Sequence, residues 1–382
     1  MTYEFLGPRR IVTGEGSITS VATEVRSLRG TNPLIVTDGG IAKTDLLKRL
    51  TSVLDQEKMP YAVFSDVEPD PGIAVVEKGG KVCVQGDHDL LIAFGGGSSI
   101  DAAKVISILV RNKGSVKDFV GVPEFGNDPV PVIAIPTTAG TGSEVTLVAI
   151  VTDEAQKLKL VVRSPQILPS TVLLDPALLT SLPPEMIAYT GMDAFSHAVE
   201  SFLSVRSNPI TEQLALAAVK LIYQSLIPFK ENSQDTELAS SMLHASCLAG
   251  IAFTNSGLGA VHALAHPIGS HYHLSHGLTC ALFLHQVLKE NKDSALKKYE
   301  ILLDTIGLSA PGLSAEGSAE KLIEAVGAFM KRLGIPRSLS AMGIKHEVEP
   351  LMIEDAMKNR ALLSNPKKFD QDKITELLWS IR

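Results

Sequence analysis

Half of the chain's ten histidines fall in one short stretch, Gly257-Leu-Gly-Ala-Val-His-Ala-Leu-Ala-His-Pro-Ile-Gly-Ser-His-Tyr-His-Leu-Ser-His-Gly277, which holds His262, His266, His271, His273 and His276. Histidine is the commonest metal ligand and titrates nearest neutral pH. Upstream, Gly191-Met-Asp-Ala-Phe-Ser-His-Ala-Val-Glu200 sets Asp193 and His197 four residues apart. On a helix that spacing stacks both side chains on one face, one turn apart. An oxygen and an imidazole nitrogen from one helix, joined by imidazoles from a second segment, suit Fe²⁺, Zn²⁺ or another first-row ion better than Mg²⁺ or Ca²⁺. A lone buried histidine is more often a core residue with a satisfied hydrogen bond, so it is the convergence that points to a metal. His262 and His266 are themselves four apart, which lets one serve a cation and the other the substrate. His271 and His273 read as spacers or pocket rim.

A second chemistry is written in two loops of small residues. Asp89-Leu-Leu-Ile-Ala-Phe94 has the texture of a buried strand and runs at once into Gly95-Gly-Gly-Ser-Ser-Ile-Asp101 and a helix to about residue 110. Gly95, Gly96 and Gly97 let the backbone approach a ligand closely. With Ser98, the helix start offers unpaired N–H groups and a partial positive charge to a phosphate. The same letters also fit a capping box from Ser98 to Asp101, a turn that merely starts a helix. The second loop, Thr137-Thr-Ala-Gly-Thr-Gly-Ser143, follows an apolar strand at 130–136. Two such loops at the carboxyl ends of neighbouring strands line the crevice where open α/β sheets bind ligands, and together they favour a phosphate-bearing ligand. Asp38, ending an earlier strand, suits the hydroxyls of an adenosine ribose and would repel a 2′-phosphate, which favours NAD over NADP. The one Gly-Lys pair, Gly80-Lys81, is followed by Val82, so there is no P-loop, and neither Gly-x-Gly-x-x-Gly nor Gly-x-Ser-x-Gly occurs.

The elements that must position these residues divide the chain in two. At 382 residues it exceeds what one hydrophobic core usually supports. Up to about residue 181, short apolar runs at 32–40, 61–64, 89–94 and 130–136 alternate with helical periods at 21–28, 44–54, 73–84 and 98–110, which implies a mainly parallel sheet covered on both faces. Residues 5–17 suggest a short edge strand or hairpin, and further strands are expected at 147–151, 158–163 and 172–174. After Leu182-Pro-Pro184 the texture turns helical, with periods at 211–227, 237–253, 281–289, 319–333 and 374–381. The expectation is an α/β dinucleotide-binding domain at 1–182 and an all-helical, metal-binding domain at 183–382. A net charge of -7 gives no electrostatic reason to bind nucleic acid, no apolar run is long enough to span a bilayer, and no signal peptide is evident, so a cytoplasmic protein is expected. Three scattered cysteines, Cys83, Cys247 and Cys280, read as small buried hydrophobes.

Taken together, Gly95-Gly-Gly-Ser-Ser-Ile-Asp101, Ile135-Pro-Thr-Thr-Ala-Gly-Thr-Gly-Ser-Glu-Val-Thr146, Leu174-Asp-Pro176, Thr190-Gly-Met-Asp-Ala-Phe-Ser-His-Ala-Val-Glu-Ser201 and Val261-His-Ala-Leu-Ala-His-Pro-Ile-Gly269 with His276-Gly277 resemble the iron-containing (group III) alcohol dehydrogenases, of the dehydroquinate-synthase-like fold. The resemblance implies that Asp193, His197, His262 and His276 hold the metal. It implies that Gly95, Gly96, Gly97 and Ser98 hold a pyrophosphate, and that Thr137, Thr138 and Thr141 line the cofactor. Lys159 matches a lysine near the cofactor ribose, Asp38 an acidic position tied to NAD preference, and His266 a histidine near substrate and nicotinamide. The implied activity is metal-dependent, NAD-linked interconversion of a small primary alcohol and its aldehyde, with Fe²⁺ or Zn²⁺ as Lewis acid and a homodimer as the assembly. Glycerol or polyol dehydrogenases and maleylacetate-type reductases are the alternatives within the fold, and a non-catalytic NAD- or metal-binding protein the alternative outside it. The chain departs from the pattern at Val148 and at Leu284-His-Gln-Val287, changes that bear on pocket lining.

Overall fold

A computed structural model describes residues 2–122, 124–156, 158–345 and 347–382. The chain divides into two compact units, Phe5–Ser181 and Leu182–Arg382, the second also including residues 2–4.

The first unit is built on a six-stranded sheet ordered β1-β8-β5-β4-β2-β3, in which every paired neighbour is parallel. Its strands are β1 (Arg10–Thr13), β2 (Pro33–Asp38), β3 (Ala62–Val67), β4 (Leu90–Gly95), β5 (Val132–Pro136) and β8 (Thr171–Leu174). Every residue of β4, β5 and β8 is buried, which is why these strands read as unbroken apolar runs with no alternation. Helices α1 (Val21–Ser27), α2 (Asp45–Gln56), α3 (Ile73–Gln85) and α4 (Gly97–Arg111) make the crossovers. Phe64, Val76, Leu91, Ile100, Ile106 and Ile133 are among the buried side chains that fill the space between sheet and helices. The chain steps from β2 to β3 on one side and returns to place β4 on the other side of β2. The loops after β2 and β4 therefore diverge at a topological switch point. The expected strands at 147–151 and 158–163 stand apart from this sheet. They form an antiparallel hairpin, β6 (Val148–Asp153) with β7 (Leu158–Arg163).

The second unit is helical: α5 (Pro184–Leu203), α6 (Pro209–Glu231), α7 (Thr236–Ser256), α8 (Ala260–Tyr272), α9 (His276–Asn291), α10 (Leu296–Thr305), α11 (Ala315–Arg332), α12 (Pro350–Lys358) and α13 (Gln371–Trp379). Local signals start several of them. Asn208 caps α6 by accepting from the N–H groups of Ile210 and Thr211, Thr211 bonds back to Asn208, and Pro209 occupies the first turn. Asp235 caps α7 in the same way through Glu237 and Leu238. Helix α8 holds Pro267 in its interior and was not legible as a helix, because proline removes a backbone donor and crowds the preceding turn. Among the described residues no single helix is long and apolar enough to cross a membrane.

Candidate functional site

Helix α5 carries Asp193 and His197 on one buried face, and α8 brings His262 to them. Asp193 Oδ1 is 3.6 Å from His276 Nε2, 3.7 Å from His262 Nε2 and 3.9 Å from His197 Nε2. The His197 and His262 rings stack with centroids 4.5 Å apart, and Phe253 of α7 stacks on the far side of His197 at 4.4 Å. Asp193, His197 and His262 are buried, while the His276 side chain keeps 31% of its surface exposed and so marks the open side of the cluster. The structure thus brings together all four residues of the expected ligand set.

Two of their polar atoms, Asp193 Oδ1 and His262 Nε2, are buried with no hydrogen-bond partner. An unsatisfied carboxylate oxygen and an unsatisfied ring nitrogen buried side by side cost free energy unless something binds both. The donor set therefore fits a divalent cation. Burial alone would raise the Asp193 carboxyl, but the neighbouring His197, His276 and His262 outweigh it and hold the group well below the usual carboxylate range.

Two residues of the cluster were not foreseen. Glu200 Oε2 accepts from His262 Nδ1 at 2.5 Å, and its other oxygen accepts from the Val261 N–H at 2.7 Å. That carboxylate fixes the proton on Nδ1 and aims the Nε2 lone pair at Asp193, the arrangement by which outer-shell carboxylates orient metal-bound imidazoles. The signal was in the spacing, since Glu200 lies three residues past His197 and seven past Asp193, on the same helix face. Cys280 follows His276 by four residues on α9. Its Sγ lies 3.6 Å from His276 Nε2, and the donor atoms of Asp193, His262, His276 and Cys280 all fall within 4.8 Å of one another. All three cysteines are buried and free, as their residue type suggested, and Cys280 is also part of this constellation.

His266 lies one turn beyond His262 and its ring stands edge-on to His276, with centroids 5.6 Å apart. Asn359 Nδ2 donates to its Nδ1 at 3.3 Å, so the His266 proton sits on Nε2. His271 and His273 belong to the end of α8. His271 faces Glu349 at 3.8 Å, and His273 is the left-handed residue that closes the helix.

In the first unit, the loops after β2, β4 and β5 stand side by side. Gly95 pairs with Pro136 in the sheet, and the Thr137 N–H donates to the Gly95 carbonyl at 3.0 Å. A side-chain carbon on Gly97 would stand 2.7 Å from the Thr141 methyl, so the two loops pack closely enough to require glycine there. Helix α4 starts at Gly97 with Gly96 at the N-cap position and no side-chain cap, and the Ser98–Asp101 capping box does not form. Asp101 instead accepts from the Ile150 N–H at 2.9 Å, so no side chain caps the first N–H groups of α4. Asp38 Oδ1 accepts from the N–H groups of Gly40 and Ile41, and a side chain on Gly95 would meet its other oxygen at 3.4 Å, which puts the carboxylate beside the glycine loop. Ser98 Oγ accepts from the Asp70 N–H, and Lys159 Nζ bonds Asp70 Oδ1 at 2.8 Å, so Asp70 ties both to one turn. Thr138 faces Gly96 across the same loop pair.

The sequence matches the Fe-containing alcohol dehydrogenase family, C-terminal, over residues 187–381, and iron-containing alcohol dehydrogenase over residues 8–176. The chain belongs to the iron-containing alcohol dehydrogenase family. Within it, the NAD-dependent methanol dehydrogenase of Bacillus methanolicus is 34% identical over 378 residues, covering 99% of both chains. The lactaldehyde reductase of Escherichia coli is 32% identical over 366 residues, covering 95% of each. The solved alcohol dehydrogenase from Oenococcus oeni superimposes with a TM-score of 0.97 at 34% identity over the full length of both chains. These relatives are NAD-dependent or alcohol- and aldehyde-converting oxidoreductases of the iron-containing family, and the parallel sheet followed by a helical region is that family's fold.

Proposed function

We propose that this chain is a metal-dependent, NAD-linked dehydrogenase that interconverts a small primary alcohol and its aldehyde, with Asp193, His197, His262 and His276 holding one divalent ion, Fe²⁺ or Zn²⁺. The observation that carries the reading is the pair of partnerless buried atoms, Asp193 Oδ1 and His262 Nε2, facing each other inside a ring of imidazoles. A cation bound there supplies Lewis acidity to the alcohol or aldehyde oxygen.

The residues supply the rest. Asp193 contributes the negative charge that offsets a divalent ion, and Glu200 keeps His262 in the tautomer whose Nε2 can donate a lone pair. The exposed edge of His276 is the side on which a substrate oxygen can reach the cluster. His266, with its proton on Nε2, can donate a hydrogen bond to a substrate oxygen at the cluster and so orient it. In the sheet unit, the uncapped start of α4 at Gly96 and Gly97, with Ser98, binds the pyrophosphate. Thr137, Thr138 and Thr141 line the cofactor, Asp38 takes the adenosine ribose hydroxyls, and Lys159, steadied by Asp70, serves the other ribose. A bound NAD would supply the hydride acceptor for oxidation of the alcohol, with the proton leaving to solvent, and NADH the hydride donor for the reverse.

The test is elemental analysis of anaerobically purified protein, followed by NADH oxidation with a series of small aldehydes. One equivalent of metal and aldehyde-dependent turnover are expected, and His262→Ala should lose both. Full metal content and rate in His262→Ala would overturn the ligand assignment. NADH binding with no turnover on any aldehyde or alcohol would overturn the activity.

A further inference from the structure

The helical unit presents its donors in two matching pairs: Asp193 and His197 at i, i+4 on α5, and His276 and Cys280 at i, i+4 on α9. The second pair brings sulfur into the cluster. Cys280 is fully buried, and its Sγ lies 3.6 Å from His276 Nε2. The four-donor set of Asp193, His262, His276 and Cys280 is gathered within 4.8 Å. With His197 counted, Cys280 is a fifth donor, and donors that share one five-coordinate cation at ~2.0 Å (nitrogen, oxygen) and ~2.3 Å (sulfur) stand roughly 2.8–4.3 Å apart. The observed 3.6 Å from sulfur to His276 and the 3.6, 3.7 and 3.9 Å from Asp193 to His276, His262 and His197 lie within that span. A thiol packed merely as a small hydrophobe would not need to share its pocket with a carboxylate oxygen and an imidazole nitrogen that are both buried without partners.

We propose that Cys280 binds the same cation through its thiolate, and that this sulfur donor biases the centre toward thiophilic ions such as Zn²⁺ over Fe²⁺. The inference rests on the metal-centre reading given above. Binding exchanges the S–H bond for a sulfur–metal bond and releases the thiol proton to solvent, with no change in oxidation state. Thiolate ligands favour the softer first-row ions, so the selectivity of the site follows from this side chain.

The experiment uses the full-length protein, stripped with a chelator and reloaded with Co²⁺ under anaerobic conditions. One Co²⁺ per chain and an intense near-ultraviolet sulfur-to-cobalt charge-transfer band are expected. The band should persist in a variant carrying Cys83→Ser and Cys247→Ser, and it should vanish in Cys280→Ser while Co²⁺ stoichiometry is kept. In competition, Cys280→Ser should lose about tenfold in its preference for Zn²⁺ over Fe²⁺. If Cys280→Ser fails to fold, the band in the Cys83, Cys247 double variant still assigns the sulfur, since these are the chain's only other cysteines. Stoichiometric Co²⁺ with no charge-transfer band would overturn the role of Cys280 and leave the metal centre standing. Failure to retain Co²⁺ at all would remove both.

Discussion

A single buried carboxylate decides whether His262 can act as a ligand. Neutral imidazole carries one proton, and the nitrogen that holds it cannot donate a lone pair to a cation. Glu200 accepts from the Nδ1–H, which keeps the proton there, and uses its second oxygen to hold the Val261 N–H, one of the otherwise unpaired donors at the start of α8. Replacing Glu200 with Ala frees the ring to rotate and to switch tautomer, while the four donors stay in place. Zn²⁺ affinity, read by competition against a chromophoric chelator, should fall by about 10–100-fold. An unchanged affinity would show that His262 is oriented by packing alone. The spacing of Asp193 and His197 was legible because helical period is a local property. Which of the five clustered histidines join them was not legible from spacing, and only the family resemblance singled out His262 and His276, since His271 and His273 differ from them through the way α8 ends and α9 begins. Cys280 and Glu200 were missed for a related reason. Each is ordinary in composition and joins the cluster only through the face it shares with a neighbour one turn away.

Helix contacts set the distances on which that chemistry depends. A side-chain carbon on Gly277 would collide with the Tyr189 carbonyl and come within 3.1 Å of the Asp193 Cβ, so α9 can lie against α5 only because residue 277 is glycine. Gly277→Ala must push the two helices apart and carry His276 and Cys280 away from Asp193. A tenfold or greater loss of metal affinity is expected while the helical circular dichroism is retained, and intact binding would mean that the helices adjust without moving the donors. The sheet unit has its own buried polar contact. Lys104 Nζ donates to the Thr146 carbonyl at 2.7 Å, the Thr146 hydroxyl at 3.0 Å and the Val148 carbonyl at 2.9 Å, tying α4 to the segment that follows the threonine loop. Beside it, burial pushes the Glu144 carboxyl up to about 7, against the opposing pull of its own backbone N–H and of Lys104. The folded state therefore keeps a proton that the unfolded chain releases above the ordinary value of 4.5. Glu144 stabilises the fold fully below 4.5, and that contribution is lost as pH rises to about 7. At about 1.4 kcal/mol per pKa unit the loss is of order 3 kcal/mol. Denaturant unfolding followed across this window should show the decline, and Glu144→Gln should flatten it. The same slope in the variant would place the titration elsewhere. None of this was readable beforehand: Glu144 and Lys104 sit in loop and helix motifs whose letters say nothing about complete burial.

At the scale of the whole molecule, the proposed roles fall to different units. Every residue proposed for the dinucleotide, from Asp38 to Lys159, belongs to Phe5–Ser181, and every proposed donor to the cation belongs to Leu182–Arg382. The sequence itself changes from strand–helix alternation to continuous helical period near residue 182, because layer architecture leaves its mark in hydrophobic spacing. A ligand stabilises the structure that binds it by RT ln(1 + [L]/Kd), about 2.7 kcal/mol at a hundredfold excess over Kd. Backbone amides that exchange through opening of that structure slow accordingly, by about a hundredfold. Zn²⁺ added to the metal-free protein should therefore protect amides in α5, α8 and α9, where its donors sit, and leave β4, β5 and α4 near their metal-free rates. NAD added alone should protect the start of α4 and the loops after β2 and β5. Hydrogen exchange resolved by mass spectrometry reads both patterns on one sample. Protection by Zn²⁺ confined to the sheet unit would place the cation outside the Asp193 cluster. Protection by NAD confined to the helical unit would remove the nucleotide from the glycine loop.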